Sequence, residues 1–133
     1  MRRSPLSRLV DPSPRLRAAL VVLAACGAML FFVLGTRPEA SALVPPAPYD
    51  KLAHMMVFGG FAGIAWLIGA GRSVMLPIAI AFVLGCTDEL LQSFTPGRDA
   101  DWHDIVADVV GALMVVGTLQ FARWRGMAVS PEA

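Results

Sequence analysis

Residues 49–71 read YDKLAHMMVFGGFAGIAWLIGAG, a polar opening that contains Asp50, Lys51 and His54, followed by an apolar stretch. At ~1.5 Å of rise per residue, ~20 such residues in a helix cross the ~30 Å hydrocarbon core of a bilayer. Backbone polar groups in lipid must be satisfied within a helix or a closed barrel, and an apolar run this long is not a strand. The segment therefore predicts a transmembrane helix with charged residues at its start.

Three further segments pass the same hydropathy test. The four predicted spans are residues 18–35, 52–71, 74–91 and 105–122. The chain has 133 residues, of which 56% are hydrophobic and 16% are charged, and its mean hydropathy is +0.64. A soluble domain has about 25% charged residues. We therefore predict an all-α integral membrane bundle of four transmembrane helices that contacts lipid and binds no nucleic acid.

The basic residues predict the orientation of this bundle. Arginines precede the first span, occupy the turn between the second and third, and follow the fourth: Arg2, Arg3, Arg8, Arg15, Arg17, Arg72, Arg123 and Arg125. Cytoplasmic flanks carry the excess of such residues, so both termini are expected in the cytoplasm. We divide the chain into a basic, disordered tail (1–17), a transmembrane domain (18–125) and a C-terminal tail (126–133).

The first span also has features of a secretory signal, namely a basic leader and the small residues 40–42. Its apolar run is longer than the ~7 to 15 residues of a signal peptide. We expect the span to be retained, and N-terminal sequencing would test this. Cys26 and Cys86 fall within spans, where a thiol behaves as a small apolar group, so no disulfide is expected.

Ten polar side chains flank or enter the predicted spans at their outer end. This polar cluster consists of Asp50, Lys51, His54, Asp88, Glu89, Gln92, Arg98, Asp101, Asp104 and Asp108. Ionisable groups at membrane depth usually mark functional sites. We expect the ten to meet in one cavity as a ligand-binding or functional site, with no catalytic residue identified and no metal or cofactor expected.

Spacing predicts several contacts within the polar cluster. Asp50 and His54 are one helical turn apart, so the carboxylate is expected to face the imidazole, and Asp50 is also a candidate N-cap. Asp88 and Glu89 lie at a helix C-terminus, where acids oppose the helix dipole, so a cation is expected nearby. Arg98, which follows the next turn, is suited to a bidentate carboxylate or phosphate contact.

Three aspartates open the fourth span at spacings of three and four, which predicts a single acidic stripe of Asp101, Asp104 and Asp108. Asp104 is a candidate N-cap. Asp108 lies one turn deeper among apolar residues, so it must be protonated, paired with Arg98, Lys51 or His54, or bound to a ligand. His103 should point away from this stripe and, with Trp102, act as an interfacial anchor.

Small residues predict where two helices approach each other closely. Gly59 and Gly63 are four apart in the second span, and Ala107 and Gly111 are four apart in the fourth. Such pairs permit close contact between helix backbones. We therefore expect the second and fourth spans to pack together.

Three ordered motifs resemble those of a known family. They are Asp50-Lys51-x-x-His54, Asp88-Glu89-x-x-Gln92, and Pro96-Gly97-Arg98 with Asp101, Asp104 and Gly111. In order and spacing these motifs are similar to the VanZ-like membrane proteins, named for a bacterial teicoplanin-resistance protein, over residues 49–121. The resemblance implies a small, multi-pass protein of the bacterial inner or plasma membrane. It supplies no biochemical activity, and Asp108 departs from the asparagine that is common in the family.

Several functions fit these observations. The first is a non-catalytic envelope protein that binds a glycopeptide, a lipid head group or a cell-wall precursor, with Lys51 and Arg98 contacting anionic groups. The second is a membrane-embedded hydrolase or transferase in which His54 or Glu89 is a general base and the acids hold a divalent cation, although no known metal-ligand spacing is present. An ion pathway is disfavoured because the cytoplasmic halves lack polar residues. The cluster can also act only as a structural lock between helices, but buried ion pairs add little net stability.

Overall fold

The computed structural model describes residues 12–37, 39, 42 and 45–128, and the side chains as far as residue 125. It contains four helices, α1 (Pro14–Gly35), α2 (Tyr49–Ile68), α3 (Met75–Gln92) and α4 (Trp102–Ala128). No strand occurs within these ranges. Each helix is long and apolar enough to cross a membrane. The predicted all-α bundle of four membrane helices is confirmed.

The helices extend beyond the apolar segments at several ends. Helix α1 begins at Pro14, inside the predicted tail, because proline is tolerated at the first helical position and Ser13 Oγ accepts a hydrogen bond from the Leu16 amide at 3.3 Å. Helix α4 continues to Ala128, beyond the predicted end at residue 122. The remainder of both predicted tails, residues 1–11 and 129–133, lies outside the described residues, as do residues 40 and 41 of the possible cleavage site.

Successive helices run in opposite directions, so α2 and α4 are parallel to each other. At one end of the pair, Lys51 of α2 contacts Asp104 of α4. At the other end, Trp66 Nε1 donates a hydrogen bond to Gln120 Oε1 at 3.1 Å, and Arg123 Nη1 donates one to the Ala70 carbonyl at 2.6 Å. We call the end where α2 and α4 begin the polar end, and the other the basic end. The polar cluster therefore lies at the opposite end of the bundle from five of the described arginines, which are Arg15, Arg17, Arg72, Arg123 and Arg125.

Two tight turns fix the ends of α3. The turn before it carries left-handed backbone at Ala70 (φ 52°) and Gly71 (φ 62°), and Ser73 Oγ accepts a hydrogen bond from the Leu76 amide at 3.1 Å. The turn after it has Pro96 at its second position and Gly97 at its third, with φ 80°. These residue types suit a type II turn, in which proline is common at the second position and the positive φ of the third position favours glycine. The first turn makes α3 antiparallel to α2, and the second reverses the chain at the polar end, where α4 begins.

Close packing of α2 on α4 depends on glycine, as predicted. A Cβ atom built on Gly59 would lie 2.9 Å from the Gly111 carbonyl oxygen, and one built on Gly111 would overlap the Met55 backbone. The core beside this contact combines residues of α2, α3 and α4: Phe58, Ala62, Trp66, Ala81, Ala112 and Val116. Helix α1 has no buried residue and packs at the periphery. The many exposed apolar side chains of all four helices suit contact with lipid.

Candidate functional site

The polar cluster lies at the polar end, where α2 and α4 begin and α3 ends. Six of its members expose 7% of their surface or less: His54, Asp88, Glu89, Gln92, Asp104 and Asp108. The other four are half-buried: Asp50, Lys51, Arg98 and Asp101. A charged group is costly to bury unless it is paired or hydrogen-bonded. The contacts made by each group therefore decide what the cluster can do.

Lys51 is held by three carboxylates at the mouth of the cluster. Its Nζ lies 3.2 Å from Asp50 Oδ2, 2.8 Å from Asp101 Oδ2 and 2.5 Å from Asp104 Oδ1. An ammonium group has three hydrogens to donate, and three acceptors already surround it here. Lys51 therefore links the starts of α2 and α4 and has no donor left for an anionic ligand.

His54 pairs with aspartates of α4. Its Nδ1 lies 2.9 Å from Asp108 Oδ1, and its Nε2 lies 3.6 Å from Asp104 Oδ2. When Asp108 is ionised, its oxygen only accepts, so Nδ1 then donates the shared hydrogen and Nε2 is the ring nitrogen available to another partner. The Phe58 ring stacks on the imidazole at 5.7 Å between centroids. Of the alternatives left open for Asp108, which were protonation, pairing with Arg98, Lys51 or His54, or a bound ligand, the structure contains the contact with His54.

The predicted contact between Asp50 and His54 is wrong. Asp50 Oδ1 instead accepts a hydrogen bond from the Lys51 backbone amide at 2.9 Å. Helix α4 packs against the face of α2 that carries His54, so its two aspartates reach the imidazole. Asp50 is also not the N-cap, because α2 begins at Tyr49 and the capping position belongs to Pro48.

The start of α4 is capped by Asp101, where the sequence favoured Asp104. Asp101 Oδ1 accepts hydrogen bonds from the His103 backbone amide at 2.9 Å and from His103 Nδ1 at 2.6 Å. The prediction that His103 points away from the acids is therefore wrong, because Asp101 precedes the helix and helical spacing does not apply to it. Hydrogen bonds from Lys51 and His103 hold the pKa of the Asp101 carboxyl well below its usual range.

The two acids at the end of α3 are satisfied by an amide side chain and a backbone N–H. Gln92 Nε2 donates to Asp88 Oδ2 at 2.7 Å and approaches Glu89 Oε1 at 3.4 Å. Glu89 Oε2 accepts a hydrogen bond from the Asp101 backbone amide at 2.6 Å, which ties α3 to α4. Arg98 forms no ion pair with any acid of the described residues. The expected bidentate contact from Arg98 to these carboxylates is not formed.

Asp108 is the deepest member of the polar cluster. It has no exposed surface, and its Oδ2 atom has no hydrogen-bond partner among the described residues. Helix α3 accommodates this oxygen through Gly85, since a Cβ atom built there would overlap Asp108 Oδ2. A buried carboxylate oxygen without a donor is costly. Within the polar cluster, a ligand would therefore stabilise the protein most by contacting this oxygen.

One grouping was not visible in the sequence. Donor atoms of His54, Asp88 and Glu89 all lie within 4.8 Å of one another. The histidine comes from α2 and the acids from α3, so no spacing within a single motif brings them together. The only signal in the sequence was that both motifs fall at the same end of the bundle.

The sequence model of the VanZ/LLP1 family matches residues 18–123. This range runs from α1 to α4 and includes every residue of the polar cluster. No curated protein and no solved structure matches the chain.

Proposed function

The chain belongs to the VanZ/LLP1 family, and from this premise we propose that it is a protein of the bacterial inner membrane whose polar cluster binds a polar molecule of the cell envelope. The observation that carries the proposal is that three helices direct six buried polar groups to one end of a bundle that is otherwise apolar. Ionisable groups at membrane depth are costly and are usually retained for function.

The charges of the polar cluster favour a ligand that donates hydrogen bonds. The polar cluster contains six carboxyl groups but only two permanent cations, Lys51 and Arg98. Lys51 is already surrounded by three carboxylates, which argues against the earlier expectation that it binds anionic groups. An ammonium group with neighbouring hydroxyls would complement the remaining acids. Lipid head groups and the peptide part of cell-wall precursors carry such groups, as do glycopeptides.

Retention of lipid by purified protein tests this function. After reconstitution in nanodiscs with equal amounts of phosphatidylethanolamine and phosphatidylglycerol, native mass spectrometry of the wild type is expected to show mainly the ammonium-bearing lipid. Glu89→Gln removes one buried charge while keeping shape, and should reduce this preference several-fold. Asp99→Asn is the matched control, because Asp99 is exposed and outside the polar cluster. Equal retention of both lipids by the wild type would contradict a head-group ligand.

A link to glycopeptide resistance is a narrower form of the same proposal. It would be tested by expressing the wild type, Glu89→Gln and Asp99→Asn at matched levels and measuring susceptibility to teicoplanin. A wild type that changes susceptibility, with the effect lost only in Glu89→Gln, supports it. No change on expression of the wild type would contradict it.

The orientation of the bundle is a separate prediction. The arginines at the basic end favour a cytoplasmic position for that end and an outside position for the polar cluster. Single cysteines at positions 72 and 99, introduced after Cys26 and Cys86 are changed to serine, should react differently in intact cells. An impermeant maleimide is expected to label position 99 only. Labelling of position 72 alone would mean that the orientation is the reverse of the predicted one and that the polar cluster faces the cytoplasm.

The second candidate function is a membrane-embedded hydrolase or transferase. It is favoured by the 2.9 Å contact between His54 Nδ1 and Asp108 Oδ1, which orients the imidazole as a carboxylate partner orients a general base. A head-group or precursor substrate that is converted by the wild type and not by His54→Asn would favour this function over simple binding.

A further inference from the structure

We propose that His54, Asp88 and Glu89 form a binding site for one divalent transition-metal ion, with Zn²⁺ as the best fit, between α2 and α3. The site goes beyond the binding of an envelope molecule and does not depend on it. Its three donor groups are buried and lie within 4.8 Å of one another.

The donor set selects the class of metal. One imidazole nitrogen and two carboxylate oxygens are ligands of Zn²⁺, which binds them at about 2.0 to 2.2 Å and often leaves a fourth position open. Mg²⁺ and Ca²⁺ prefer sites built from oxygen alone. The present separation is compatible with closure around an ion, because tetrahedral ligands at these bond lengths lie about 3.3 Å apart. Small side-chain rotations would bring the three donor atoms, now within 4.8 Å of one another, to this separation.

The histidine is oriented as a metal ligand usually is. Its Nδ1 lies 2.9 Å from Asp108 Oδ1. With Nδ1 held by this carboxylate, Nε2 would be the ligand atom. Metal-binding histidines commonly hold their second nitrogen in this way, and the carboxylate partner strengthens the metal bond.

An independent observation points to a cation here. Asp108 Oδ2 is fully buried and has no partner among the described residues. It is directed at α3 beside Gly85. Asp88 and Glu89 follow Gly85 by three and four residues, so they lie on the same face of that helix. The three acids thus lie near one histidine in a buried region, and a divalent ion would compensate their charge.

Zinc stoichiometry tests the proposal. Untagged full-length protein in detergent would be stripped with a chelator, exposed to Zn²⁺, freed of unbound metal and analysed by elemental mass spectrometry. About one Zn²⁺ per chain is expected for the wild type. Asp88→Asn and His54→Asn should each weaken binding at least about tenfold, as loss of a metal ligand or of its partner does. Asp99→Asn and His103→Asn alter the same residue types outside the site and should bind as the wild type does.

Folding is monitored by circular dichroism and gel filtration. If the two variants fail to fold, X-ray absorption at the zinc edge of the loaded wild type decides the question. One nitrogen ligand with oxygen ligands supports the site, whereas sulfur ligands or oxygen alone would overturn it. A folded wild type that retains far less than one Zn²⁺ per chain would also overturn it. No envelope molecule is added, so this result is separate from that of the lipid measurement.

Discussion

Replacing Gly111 with alanine is expected to lower the free energy of unfolding by about 3 kcal/mol or more, at the upper end of the range for overpacked cores. The new Cβ atom would overlap the Met55 backbone, and the Gly111 carbonyl itself lies against Gly59. Backbone atoms on both sides cannot rotate away as a side chain can, so α2 and α4 must separate. Denaturation by sodium dodecyl sulfate, followed by circular dichroism in mixed micelles, would measure the loss.

Gly117→Ala provides the matched control on the same helix. A Cβ atom at Gly117 meets no other atom within 4 Å, and alanine is favoured over glycine in a helix by about 1 kcal/mol. This variant should therefore be as stable as the wild type or slightly more stable. If Gly111→Ala and Gly117→Ala behaved alike, the close contact between α2 and α4 would be wrong.

Replacing Lys51 with methionine is expected to cost about 2 to 3 kcal/mol. Removing one partner of a buried ion pair costs about 3 to 5 kcal/mol, and the 27% exposure of this side chain reduces the effect. Asp50, Asp101 and Asp104 would then face one another without the ammonium group that now lies among them. The same denaturation measurement applies, and Arg98→Met removes an equal charge at the same end without breaking an ion pair.

A double variant separates repulsion between acids from loss of packing. Asp104→Asn removes one of the three carboxylates, so Lys51→Met should be less damaging in that background, with a coupling energy of about 1 kcal/mol or more. Additive effects of the two substitutions would mean that the contact between Lys51 and Asp104 contributes nothing to stability.

The sequence predicted the fold because clear breaks in hydropathy separate the four spans. Apolar segments of membrane length located the helices, and the glycines at 59 and 111 correctly paired α2 with α4. The ends of the helices were less well predicted. Hydropathy identifies apolar residues, but it does not identify the residue at which a helix begins or stops. Pro14 shows this: it was assigned to an irregular tail, yet proline at the first helical position begins α1.

The site was predicted as a set of residues but not as a set of contacts. Helical spacing related residues of the same helix, and it paired His54 with Asp50. The structure pairs His54 with Asp108 and Asp104, because contacts between helices depend on their rotation, which spacing within one helix does not define. The grouping of His54 with Asp88 and Glu89 was missed for the same reason.

The parallel arrangement of α2 and α4 limits how the bundle can move. Four contacts of α4 with α2 and the turn that follows it join residues 53 or 54 positions apart. They run from Lys51 with Asp104, through His54 with Asp108 and Trp66 with Gln120, to Ala70 with Arg123. Sliding one helix by a single turn would break all four contacts at once and force Gly111 off its partner. Any rearrangement that accompanies ligand entry must therefore keep this register, and α1, which has no buried residue and packs only at the periphery, is the helix least restrained by the others.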